Sequence, residues 1–224
     1  MHIEPGVVTG AKIVLSYATA LGALGWSAKY SINAIKEHGA INLLARSVMT
    51  SLLVFVFFEV LPHHAVGVSE VHLILGSTLF LIFGPAAASI GLFMGLLIQG
   101  ILFAPFDLPQ YGMNITTLLV PLFVMAAVAR RVIPEKTAYV DLAYAQALKL
   151  SVTYQGGIVL WVAFWAFYGQ GFSAANLSSV ASFGLAYMSV VLVEPLLDLA
   201  ILWGAKGMDR LKGSSFVERR LYQG

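Results

Sequence analysis

The chain has no cysteine among its 224 residues. Disulfides, thiolate metal sites and cysteine nucleophiles are therefore excluded. Charge is scarce as well: Asp, Glu, Lys and Arg make up 11% of the sequence, against about 25% in soluble domains. So few charged groups cannot cover a water-facing surface. No G-x-x-x-x-G-K-[ST] stretch occurs, so the chain has no loop to cradle nucleotide phosphates. No G-x-S-x-G occurs either, which removes the usual signature of an α/β-hydrolase nucleophile. The basic residues sit beside apolar runs and form no separate patch, so nothing points to nucleic acid.

What is abundant is apolar sequence. Hydrophobic residues reach 59% and mean hydropathy is +0.84, so the solvent is expected to be lipid. A helix crosses a bilayer with about 20 apolar residues. On that measure spans are expected near 7–28, 43–61, 70–84, 86–104, 113–129, 150–170 and 179–203. Gly84-Pro85 breaks the helical run and permits a tight reversal between the third and fourth. The more polar stretch 135–150 reads as a helix along the membrane surface or leading into the sixth span. The expected fold is an all-α polytopic membrane bundle of about seven helices. It forms a single domain over 1–224, with a distinct segment 1–6 and a basic tail 205–224.

The charges fit an odd number of spans. Lys29, Lys36 and Arg46, then Arg130, Arg131, Lys136 and Lys149, then Lys206, Arg210, Lys212, Arg219 and Arg220 all fall on one side. The opposite connections, 62–69, 105–112 and 171–178, contain no Lys or Arg. Only Lys12 departs. By the positive-inside rule the N-terminus is exoplasmic and the C-terminus cytoplasmic. The first eleven residues carry Glu4, Pro5 and Gly6 and no basic residue, so a cleavable signal peptide is not expected. A bulky His2 should also discourage removal of Met1.

That terminus carries the sharpest chemical signal. The α-amine of Met1, the peptide nitrogen of His2 and the His2 imidazole can close adjoining chelate rings on one ion. Three nitrogens then occupy a square plane with its fourth position open. Such ligation suits Ni(II) or Cu(II), with Co(II) possible. The scattered methionines, Met94 and Met113 among them, form no soft-ligand array for Cu(I). A second histidine could fill the fourth position. His72, bordering apolar sequence in Glu70-Val71-His72-Leu73, is the first candidate, since a buried imidazole needs a partner. His64 is the alternative. His63 and His64 follow Pro62 and could simply be wet, and His38 is expected to be solvated in the first cytoplasmic connection.

These residues resemble the substrate-binding (S) component of energy-coupling factor transporters for cobalt and nickel, the CbiM/NikM family. The likeness runs through Met1-His2-Ile3 with Gly6, Val71-His72-Leu73, Gly84-Pro85 with Ala86-Ala87-Ala88, Gln99-Gly100-Ile101-Leu102-Phe103 and Gly112-Met113-Asn114. Two places depart from the family pattern. Ala104–Tyr111 replaces a glycine-rich stretch, and Thr117 stands where a second asparagine is common. The resemblance implies metal ligation by the Met1 amine, by His2 and by His72. It implies Co(II) or Ni(II) as the transported substrate. ATP hydrolysis would fall to partners: a transmembrane coupling (T) protein, a pair of cytoplasmic ATPases and a small accessory membrane subunit.

Several polar residues admit two readings. Gln99 and Asn114 either orient the His72 or His2 ring or join helices. Glu194 and Asp198 share a face one helical turn apart. Glu194 could bond a kinked backbone or stay protonated, and Asp198 could pair with Lys206 or Arg210. Glu59 and Glu70 could draw cations to the rim. Gly91-Leu92-Phe93-Met94-Gly95 permits close helix contact, within the bundle or with a partner. The rival functions are a non-catalytic membrane scaffold and an intramembrane hydrolase. The second is disfavoured because Ser77 lies about 140° round a helix from His72.

Overall fold

A computed structural model describes residues 3–224, so Met1 and His2 lie outside the described residues. The chain forms helices α1 (Ile13–His38), α2 (Ala40–Glu59), α3 (Gly76–Leu102), α4 (Tyr111–Val132), α5 (Tyr144–Gln170), α6 (Ala174–Met188) and α7 (Glu194–Lys206). A small hairpin, β1 (His64–Val66) and β2 (Ser69–Val71), interrupts them between α2 and α3. Five stretches are long and apolar enough to cross a membrane: Ala40–Glu59, Gly76–Leu102, Pro105–Val132, Tyr144–Gln170 and Ala174–Lys206. Large apolar side chains such as Leu21, Ile41, Leu160 and Leu185 point outward from the bundle. In water that surface would aggregate, whereas in lipid it is the required coat. The protein is a multi-pass helical membrane bundle.

Gly39 joins α1 to α2 with φ +86° and ψ 156°, a region open to glycine and very few others. The G-x-x-x-G of α3 faces α2. A Cβ on Gly91 would lie 2.4 Å from Thr50 and one on Gly95 2.7 Å from Val54. These glycines therefore serve packing inside the bundle.

Helix α3 is two helices joined at Gly84, whose φ of 79° and ψ of 165° are not helical. Pro85 follows and cannot donate to the preceding turn. In the first half, Gly76 lies against Tyr154, midway along α5, and the Ile82 carbonyl receives the Glu218 N–H at 2.6 Å. In the second half the contacts with α2 advance in step. Arg46 meets Phe83 at the turn, and beyond it Thr50 meets Ala87, Val54 meets Gly95 and Glu59 meets Gln99. The second half thus runs alongside α2 in the same direction, and the first half runs against it. This is the reversal that Gly84-Pro85 predicts.

The bundle has two unlike ends. The basic end collects the Gly39 link, the Gly84 turn, the tail from Gly207 and the loop between α4 and α5. Here Arg46 pairs with Glu218 at 2.5 Å and Lys206 with Asp141 at 2.5 Å. The hairpin end collects the start of α1, the hairpin, the α3–α4 turn and the α5–α6 turn.

Other expectations shift. The first span does not start at residue 7. Residues 3–9 form a terminal segment, with a 3-10 turn at Gly10–Lys12 before α1. The third span does not start at 70: β2 runs to Val71 and non-helical backbone continues to Leu75. That backbone is buried at Ile74 and Leu75, as irregular chain at membrane depth must be. No surface helix fills 135–150. A 3-10 turn at Tyr139–Asp141 leads into α5. The seventh stretch breaks at Ser189–Leu192, where Pro195 in the first turn of α7 removes a backbone donor.

Candidate metal centre

Sequence singles out Met1, His2 and His72. Met1 and His2 lie outside the described residues, but the residue that follows them is tightly held. Ile3 is 1% exposed. Its N–H donates to Asn114 Oδ1 of α4 at 2.9 Å, and its backbone pairs antiparallel with Ser69 of β2. The Glu4 N–H donates to the Val68 carbonyl at 3.3 Å. Further along, Val7 packs so closely on α5 that a Cβ at Gly169 would lie 1.9 Å from its carbonyl oxygen. The segment adds a short third edge to the hairpin, and three elements clamp it.

His72 follows β2 directly and is 1% exposed. Its Nε2 lies 2.9 Å from Glu70 Oε2. A carboxylate there draws the ring proton to Nε2, which puts the lone pair of the neutral imidazole on Nδ1. The Phe58 ring lies 4.9 Å from the His72 ring, and the His63 ring stacks on it at 4.8 Å with 16° between the planes. His64, the alternative ligand, is in β1 opposite Val71 and exposed. Among the described residues no group of three His, Asp or Glu could hold an ion.

The hairpin itself has a tight support. Gly67 turns it with φ +63°, and a Cβ there would lie 2.1 Å from the Ser179 carbonyl oxygen of α6. Acidic groups gather around it. Burial pushes the Glu4 carboxyl above its ordinary value, and the negative charges of Glu70 and Asp107 add to that. Lys12 does not offset them. Its ammonium caps the end of α5 through the Tyr168 and Gly169 carbonyls at 2.9 and 3.1 Å, a favourable place for a cation. This explains the one basic residue that breaks the charge pattern.

Other expected roles change. Asn114 bonds the Ile3 backbone, and Gln99 bonds Glu59 at 3.4 Å. Among the described residues neither bonds the His72 ring; Gln99 joins α3 to α2, as the helix-joining reading expects, and a bond to the His2 ring lies outside the described residues. Asp198 accepts from Ser77 and Thr78, while Lys206 goes to Asp141 instead. Glu194 accepts from Ser151 and Gln155. Asp107 and Glu4 are at this end without having been singled out, and His63, expected to be wet, stacks on His72. Asp107 alone carried a signal: it is an acid inside the apolar run Pro105-Phe106-Asp107-Leu108-Pro109, and it is buried.

An apolar helix bundle whose amino-terminal segment is tied down beside a buried histidine defines a multi-pass membrane protein with a polar site at one rim. The family described as the cobalt uptake substrate-specific transmembrane region, CbiM, matches residues 2–204, and the chain belongs to it. It is a membrane component of metal uptake. Two solved structures share the fold. The crystal structure of a truncated transition metal transporter aligns with TM-score 0.71 at 19% identity, covering 92% of this chain and 98% of that one. The crystal structure of a transition metal transporter aligns with TM-score 0.70 at 18% identity, covering 96% and 95%. No curated protein matches the chain significantly.

Proposed function

We propose that the chain captures Co(II) or Ni(II) for an ATP-driven energy-coupling factor transporter. The Met1 amine and the His2 peptide nitrogen and imidazole supply three ligands, and His72 supplies the fourth. The observation that carries this reading is the seat of Ile3, bonded to Asn114 and Ser69 three residues from His72 in the chain order of β2. A terminus anchored there delivers its first two residues to the rim where His72 is buried. Glu70 sets the His72 tautomer in the way a carboxylate commonly does for a metal-binding imidazole. Square-planar nitrogen ligation accommodates both ions.

The topology of this reading has seven crossings: α1, α2, the two halves of α3, α4, α5, and α6 with α7. The hairpin end is exoplasmic and the tail cytoplasmic in the cell membrane, in keeping with the basic end and the positive-inside rule. The whole chain, 1–224, acts as one substrate-binding domain. A T protein, a pair of cytoplasmic ATPases and a small accessory subunit complete the transporter. The chain hydrolyses nothing itself.

The test is metal content. Purified protein is expected to hold one Co or Ni ion, and both His2→Ala and an extension that blocks the α-amine should abolish it. Full binding by the extended protein would overturn the ligand set. A membrane scaffold predicts no effect from either change.

A further inference from the structure

Midway through the bundle, α5, α7 and the first half of α3 converge on a second polar cluster. Asp198 is fully supplied with donors. Ser77 Oγ gives one oxygen a bond of 2.7 Å and Thr78 Oγ1 bonds the other. Both donors sit in the first turn of α3, where helix N–H groups favour a negative charge.

Glu194 is supplied on one side only. Ser151 Oγ and Gln155 Nε2 both donate to Oε2, the amide at 2.8 Å. Glu194 Oε1 is buried and receives no donor among the described residues, and the same is true of Gln155 Oε1. Two side chains already joined by one bond thus carry two orphaned acceptors. A carboxylic acid and a primary amide pair in a ring, with the amide N–H on one acid oxygen and the acid O–H on the amide oxygen. A single proton satisfies both orphans.

The groups facing Glu194 offer no rival cation. They are Asp198 on α7, the Tyr154 phenol on α5, the Tyr187 phenol on α6 and the Ser77 hydroxyl on α3. A second ionised carboxylate one turn from Asp198 would meet a like charge in a low dielectric.

We propose that Glu194 is a proton-binding site. Its Oε1 holds the proton and donates it to Gln155 Oε1, while Asp198 stays ionised at the start of α3. The proton ties α5 to α7 around the half-helix that begins four residues after His72. This site is independent of the metal ligands and stands or falls without them.

Infrared spectra of the full chain in lipid vesicles at neutral pH test this. A carboxylic-acid carbonyl band is expected, lost in Glu194→Gln and kept in Asp198→Asn. Gln155→Leu should keep the band and move it to higher frequency, because the acid loses its acceptor. No acid band in the natural chain, or a band lost in Asp198→Asn and kept in Glu194→Gln, would overturn the assignment.

Discussion

The two ends of the bundle handle acidic side chains in opposite ways. At the basic end two acids are paired with cations: Glu218 with Arg46, and Asp141 with Lys206. At the hairpin end Glu59 bonds an amide, Glu70 bonds His72, and Glu4 sits in the field of two other acids. Lys12, the basic residue nearest, is spent on the end of α5. An acid with a resident cation helps hold the fold together, whereas an acid beside His72 without one is expected, on the proposed function, to leave negative potential available to an incoming cation.

The largest expected effect separates the two ends most sharply. His72→Ala should weaken metal binding by well over 100-fold, since even losing a residue that only orients a ligand costs about 10–100-fold. Its thermal stability without metal should change far less. Glu70→Gln belongs to the orienting class and should cost about 10–100-fold in affinity, read by calorimetry with Ni(II).

Glu218→Gln is the mirror experiment. It leaves the nearly buried Arg46 guanidinium without its carboxylate, at a cost of about 3–5 kcal/mol for a broken buried pair. Denaturation should register that loss while metal affinity stays unchanged. If Glu218→Gln weakened metal binding as much as Glu70→Gln, the contrast between the ends would be wrong.

A smaller effect is expected at Asn114. Alanine there orphans the Ile3 N–H, at about 1–3 kcal/mol, and should weaken metal binding by roughly 5- to 100-fold with the bundle intact. The smallest effect is at Glu4. Its carboxyl titrates above the ordinary range, so the folded rim holds that proton more readily than an unfolded chain does. Burial of the Glu4 carboxylate, with repulsion from Glu70 and Asp107 added, therefore costs stability that grows as pH rises through the Glu4 titration. Glu4→Gln should flatten the pH dependence of metal-free stability on that limb and lower the Ni(II) association rate by less than about tenfold.

Much of this was legible in the residues. The break at Gly84-Pro85 follows from one residue that permits positive φ and another that lacks an N–H. The lipid-facing character follows from composition. The hairpin was not legible. Each strand has three residues, too few for an alternating pattern to show, and β2 overlaps the start expected for the third span. The stacking of His63 on His72 depends on that hairpin and was hidden with it. Asn114 stood out as a polar residue in an apolar span. Its partner did not, because a backbone N–H more than a hundred residues away leaves no mark on local pattern.

On the proposed function, Met1, His2 and His72 grip one cation. Anomalous scattering from crystals grown with Ni(II) is the decisive measurement. A single strong peak is expected within bonding distance of the Met1 amine, the His2 peptide and ring nitrogens and a His72 ring nitrogen. A peak held by His63 or His64 alone, with the first two residues turned away, would contradict it.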